Sequence, residues 1–133
     1  MPTETRHLTV RIDRRAEDVY EYAANPANIP TWAPGLGTSI ERVGDEWYVG
    51  IGDGRVKVAF AAPNPFGVLD HEVTLPTGEV VSIPMRVIAD GGACEVVFTL
   101  RRQPDMSSAD FERDAGLVQA DLDRLKRILE AAD

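Results

Sequence analysis

Cysteine is nearly missing from this chain. Cys94 stands alone among 133 residues, so no internal disulfide can form, and a reducing cytoplasm is the expected setting. Histidine is almost as scarce. His7 and His71 belong to no metal-ligand spacing, which leaves no structural zinc site and no HExxH helix; neither a metal nor a cofactor is expected. Positive charge is also short, with 14 Lys and Arg against 22 Asp and Glu and a net charge of −8. Nucleic acid and anionic membrane surfaces are therefore poor partners, and Arg14-Arg15 and Arg101-Arg102 are only pairs. The longest apolar run, Val58–Pro63, is far below bilayer length, and Met1–Val10 has no apolar signal-peptide core. Ser39, Ser82, Ser107 and Ser108 lack nucleophile-elbow surroundings. Gly50-Ile51-Gly52-Asp53-Gly54 joins two strands, so it lacks the helix N-terminus that a phosphate loop requires.

What is present is periodicity. His7–Asp13 alternates with Leu8, Val10 and Ile12 on one face, as a half-buried strand does. Arg14–Ala24 spaces Ala16, Val19, Tyr20 and Ala23 as a helix, ended by Asn25-Pro26, and Asn28–Ala33 predicts a second short helical turn. Amphipathic strands follow at 38–43, 46–51, 55–62, 68–75, 79–89 and 93–103, joined by short Gly- and Asp-bearing links that predict hairpins. Ser107–Ala132 then reads as one long helix, capped by Ser107 and carrying Phe111, Ala115, Val118, Leu122, Leu125 and Leu129 on one stripe. Such a stripe after a run of strands predicts a helix lying across a curved sheet. At this length a single domain over 1–133 is expected, with no linker or repeat.

The order is strand, two short helices, six strands, long helix. Leu8-Thr9-Val10-Arg11-Ile12, Ala16-Glu17-Asp18-Val19-Tyr20-Glu21-Tyr22, Asn25-Pro26 and Trp32 resemble the opening of the START-like superfamily, also called SRPBCC or Bet v 1-like, which includes polyketide cyclase/dehydrase-like proteins. Phe66-Gly67-Val68-Leu69-Asp70-His71, Pro84-Met85-Arg86-Val87 and the Asp121–Lys126 segment resemble a small uncharacterised bacterial branch. The resemblance implies an α+β helix-grip fold: a seven-stranded antiparallel curved sheet wrapped on the long C-terminal helix, with two short helices after strand 1. It implies no catalytic motif, because the superfamily spans lipid carriers, cyclases, hormone-binding proteins and co-chaperone domains.

Strand parity places Trp47, Val58, Phe60, His71, Met85 and Phe98 on the inward face, opposite Phe111 and Val118 of the long helix. Trp32 would guard the pocket mouth, and Trp47 would form a stacking wall; simple core filling is the alternative for both. His71 is the one titratable residue among these apolar positions. It reads as an acid/base near neutral pH, as a pocket lining, or as a hydrogen-bonded core histidine. Pro84 cannot donate to a ladder, so an edge or a bulge is expected there, and a bulge would exchange the facing of Met85 and Arg86. The acids and bases of the last helix, Asp114 and Asp121 among them, read as an ordinary solvated face. Three functions follow: binding of a small hydrophobic or aromatic molecule between sheet and helix, a cyclase/dehydratase-type enzyme using His71, or a protein-interaction module. Self-association into a homodimer stays open.

Overall fold

The computed structural model describes residues 4–132; Met1–Thr3 and Asp133 of the expected domain lie outside the described residues. β1 (Thr5–Ile12) leads into α1 (Ala16–Ala23), a 3-10 turn (Pro26–Asn28) and α2 (Ile29–Trp32). Then come β2 (Ser39–Val43), β3 (Glu46–Ile51), β4 (Gly54–Phe60), β5 (His71–Thr74), β6 (Val80–Ile83), β7 (Met85–Asp90), β8 (Ala93–Arg101) and α3 (Ser108–Ala131). This is the expected α+β helix-grip arrangement, with one correction. The sheet has eight strands rather than seven, split into β2-β3-β4-β5-β6 and β1-β8-β7, all antiparallel.

Pro84 is the reason. Without an N–H it cannot continue a ladder, and the predicted 79–89 strand breaks there into β6, paired with β5, and β7, paired with β8. The two sheets are stitched at this corner by the Thr99 N–H donating to the Pro84 carbonyl at 3.0 Å. Asp70 braces it from outside. One oxygen of Asp70 accepts the Met85 N–H at 2.9 Å, and its carboxylate takes two bonds from Arg86 at 3.0 and 2.9 Å. Met85 is buried and Arg86 is exposed, so the facing read from parity stands and the exchanged arrangement does not occur. The predicted 68–75 strand begins only at His71, because residues 67–70 turn aside to run along β7. The Leu69 N–H donates to Met85, and the Val87 N–H donates to Gly67, both at 2.8 Å. Gly67 has φ +74°, and a Cβ there would meet the Val87 carbonyl at 2.2 Å, so no other residue fits.

The helices are placed by burial. α1 keeps Val19 and Ala23 inside and holds Asp18 in its first turn, bonded by Arg14 and Arg15. Asn25 accepts the Ala27 N–H to start the 3-10 turn, and α2 then buries Ile29 and Trp32. At α3 the Ser107 hydroxyl accepts the Asp110 N–H at 3.1 Å, as the capping pattern predicts. The side chain of Asp110 accepts a hydrogen bond from Arg113. Leu122 and Leu125 are fully buried, Leu129 nearly so, while Leu117 on the next face is 45% exposed. Among the described residues no helix is long and apolar enough to cross a membrane.

Leu122→Ala should therefore cost about 3 kcal/mol of unfolding free energy, for lost burial plus the cavity left behind. Leu117→Ala should stay within about 0.5 kcal/mol. Urea midpoints of the two variants test this, and equal losses would refute the helix orientation.

Candidate functional site

The two sheets and α3 do not close completely. A cavity of about 270 Å³ lies between them. One wall is a row across three neighbouring strands, Phe60 opposite His71 and His71 opposite Ile83. Phe98 and Leu100 of β8 face that row across the corner made by Pro84, and Val118 and Leu122 of α3 form the roof. Ile29, Trp32, Ala33 and Leu36 close one end, while the exposed Ile51 and Leu117 mark the mouth.

Of the residues predicted for a pocket, Trp32, Phe60, His71, Phe98 and Val118 meet around this cavity. Val58, Met85 and Phe111 do not line it, although each is almost fully buried; Val58 borders a separate recess near α1. Trp47 has the predicted facing but the wrong height. It lies four residues from Ile51 on β3, roughly 13 Å away along an extended chain. There it sits under the Arg42 guanidinium, opposite Val58, beside a recess near α1. A larger groove of about 940 Å³ runs outside the molecule between α1 and the 63–68 loop. It is an open surface channel that none of the predicted site residues lines, so it does not displace the cavity under α3 as the candidate.

His71 is 7% exposed and sits between two rings, with Phe60 at 5.0 Å and Phe98 at 6.1 Å between centroids. Its Nδ1 lies 3.0 Å from the Leu69 carbonyl. A carbonyl only accepts, so Nδ1 carries the proton, and in the neutral ring Nε2 is left with a lone pair. Nε2 lies on the opposite edge of the ring from this contact, in a side chain that lines the cavity. Burial pushes the imidazole below its ordinary range, against smaller upward pulls from the Leu69 carbonyl and Asp70. Asp70 itself is oriented outward to Arg86, which holds its carboxyl below the usual carboxylate range.

Two acids were not foreseen as part of the wall. Asp114 and Asp121 both line the cavity, and Asp121 is only 7% exposed. Burial raises both carboxyls, in Asp121 against the Gly35 N–H and Arg124. The Oδ1 of Asp121 accepts the Gly35 N–H at 3.2 Å and Arg124 at 3.0 Å, tying the loop after α2 to the helix. A Cβ at Gly35 would fall 2.7 Å from the carboxylate, so glycine is needed for this approach. Asp114 takes no hydrogen bond from any described residue. The signal was present in the spacing: Phe111, Asp114, Val118, Asp121 and Leu125 step by three and four, so both acids share the apolar stripe. Trp32 is 5% exposed, and its indole N–H finds no acceptor among the described residues. Among the same residues no cluster of side chains could hold a metal ion.

A long helix gripped by bent antiparallel sheets around an apolar cavity defines a protein of the Bet v 1-like, or SRPBCC, superfamily. The chain belongs to the polyketide cyclase/dehydrase and lipid transport family, whose sequence model matches residues 5–130. No curated protein matches it in sequence. An uncharacterised protein from Bacillus thuringiensis superimposes with TM-score 0.73 at 13% identity, covering 94% of this chain and 98% of its own. Norcoclaurine synthase from Thalictrum flavum gives 0.67 at 15% identity, over 99% and 96% of the two chains. The protein Ara h 8.0201 gives 0.65 at 12% identity, over 98% and 100%. At these identities the likeness is one of fold. Family and fold are consistent with binding a hydrophobic ligand or with cyclase-type activity.

The buried imidazole makes a prediction about acid. Its folded-state pKa lies below the ordinary value of about 6.5, so between the two values the unfolded chain binds more protons. Stability should then fall as the pH drops below about 6.5, while Asp114 and Asp121, with raised values, act in the opposite direction at lower pH. Urea midpoints at pH 7.5 and 5.5 should show a larger acid loss in the natural protein than in His71→Gln. Equal losses would place the imidazole in water.

Proposed function

We propose that the protein binds a small, flat, mainly apolar molecule in the cavity beneath α3. The observation that carries this reading is the cavity's composition: Trp32, Phe60, Phe98, Ile83, Leu100 and Val118 supply an apolar wall, interrupted by His71, Asp114 and Asp121. A volume of about 270 Å³ equals roughly nine water volumes and is at the small end for ligand sites. It suits a fused two-ring molecule and is too small for a long acyl chain. The family's description, polyketide cyclase/dehydrase and lipid transport, supports a greasy or aromatic occupant. The neutral probe 2-naphthol should bind with a dissociation constant on the order of tens of micromolar and raise the melting temperature. Phe98→Trp should weaken it about tenfold or more by filling the cavity, with a smaller effect on stability. No shift with 2-naphthol or any similar neutral aromatic would count against a binding role.

A second reading, cyclase or dehydratase chemistry, is favoured by Nε2 of His71. A neutral imidazole held by Leu69 and flanked by Phe60 and Phe98 is placed to accept a proton from a carbon next to a carbonyl. His71→Gln would then keep ligand affinity within a few fold but slow turnover about 100-fold or more. An unchanged rate would leave the protein a carrier.

A further inference from the structure

The polar groups of the cavity are unbalanced in kind. Three of them accept: the Asp114 carboxylate, which no described residue bonds, the second oxygen of Asp121, and Nε2 of His71, a side chain only 7% exposed. The Trp32 indole N–H, also without a partner among the described residues, is buried beneath the wall. Among the described residues no Lys or Arg lines the cavity. Arg86, the one cation that a shifted register could have turned inward, points out to Asp70, and Arg124 is committed to Asp121 without reaching the wall.

We propose that the cavity selects a cationic ligand, a small aromatic molecule carrying a protonated amine, with its ring among Trp32, Phe60 and Phe98 and its ammonium on Asp114. The inference rests on the reading of the cavity as a binding site. A ligand carboxylate would meet two acids of like charge with no cation in the wall beside them, whereas an ammonium donates to acceptors that hydrogen bonds within the protein leave unfilled. Asp114 is the partner rather than Asp121, because Asp121 already holds Gly35 and Arg124 and lies seven residues on, about 10 Å along the helix. Asp114 is also one turn from Leu117 at the mouth, so an ammonium there keeps part of its hydration while the ring is buried. The lone pair of His71, deeper in the wall, takes a second donor on the ring. Faces of Phe60 and Phe98 add attraction for positive charge.

Three probes with one ring system and three charges separate the possibilities: tryptamine, 3-ethylindole and indole-3-propionate, titrated by calorimetry at low ionic strength. Tryptamine should bind about tenfold more tightly than 3-ethylindole, and indole-3-propionate should bind more weakly than either. Asp114→Asn should remove the tryptamine advantage, bringing the ratio of the two affinities to about one. Its melting temperature should hold or rise, since a desolvated carboxylate is removed. Salt at about 0.5 M should weaken tryptamine alone, a readout on the unmutated protein that decides the matter if the variant does not fold. Equal affinity for tryptamine and 3-ethylindole, or an amine advantage kept in Asp114→Asn, overturns the charge assignment and leaves the cavity reading intact. Failure of all three to bind overturns both.

Discussion

Pro84 has no N–H to give to a neighbouring strand, and the chain bends at that residue from one sheet into the other. The bend aligns the Phe60–His71–Ile83 row on one side with Phe98 and Leu100 on the other, and α3 can bridge the angle without filling it. Every later feature depends on this corner. The Met85 N–H, freed from a ladder partner, is satisfied by Asp70, whose carboxylate also fixes Arg86 on the outside. The cation is thereby kept out of the cavity, and the apolar Met85 is driven into the core. A continuous 79–89 strand would have left a flatter sheet, and a helix laid on it would pack without a void.

Charge and burial are then set against each other at three positions. His71 is neutral because an imidazolium between two phenyl rings would lose its hydration without gaining an acid partner. Asp70, its neighbour in sequence, faces the other way, as alternation requires, and spends its charge on Arg86. Asp114 and Asp121 sit on the apolar stripe of α3, where a carboxylate costs stability unless something donates to it. Asp121 is compensated by Gly35 and Arg124 and serves to anchor a loop. Asp114 feels the charge of its neighbour Arg113 but takes no hydrogen bond from any described residue, the kind of local inconsistency that marks functional positions more often than structural ones.

The candidate site was legible where it depended on local periodicity. Alternation in β4, β5 and β8 placed Phe60, His71 and Phe98 on the inner face, and the 3-4 spacing of α3 placed Val118 opposite them. Trp47 shows the limit of that logic, since alternation specifies a face but not a height along the strand. Met85 shows another: an inward residue can meet packed neighbours instead of a space, and which one depends on how two sheets converge. Asp114 and Asp121 were hidden by composition. Charged residues on an amphipathic helix are ordinarily solvated, and only the packing of α3 reveals how much of its circumference is covered.

Element order, the cap at Ser107, the breaks at Asn25-Pro26 and Pro84, and the inward faces of the strands were all determined by the sequence itself. They arise from backbone geometry and from interactions within a few residues, so a short window of the chain suffices to specify them. The division into two sheets, the volume left beneath α3, the burial of His71 and the place of Asp114 in the cavity wall were decided by tertiary structure alone. Each of these is a sum over groups far apart in the chain, and burial and the space between surfaces do not exist until those groups meet.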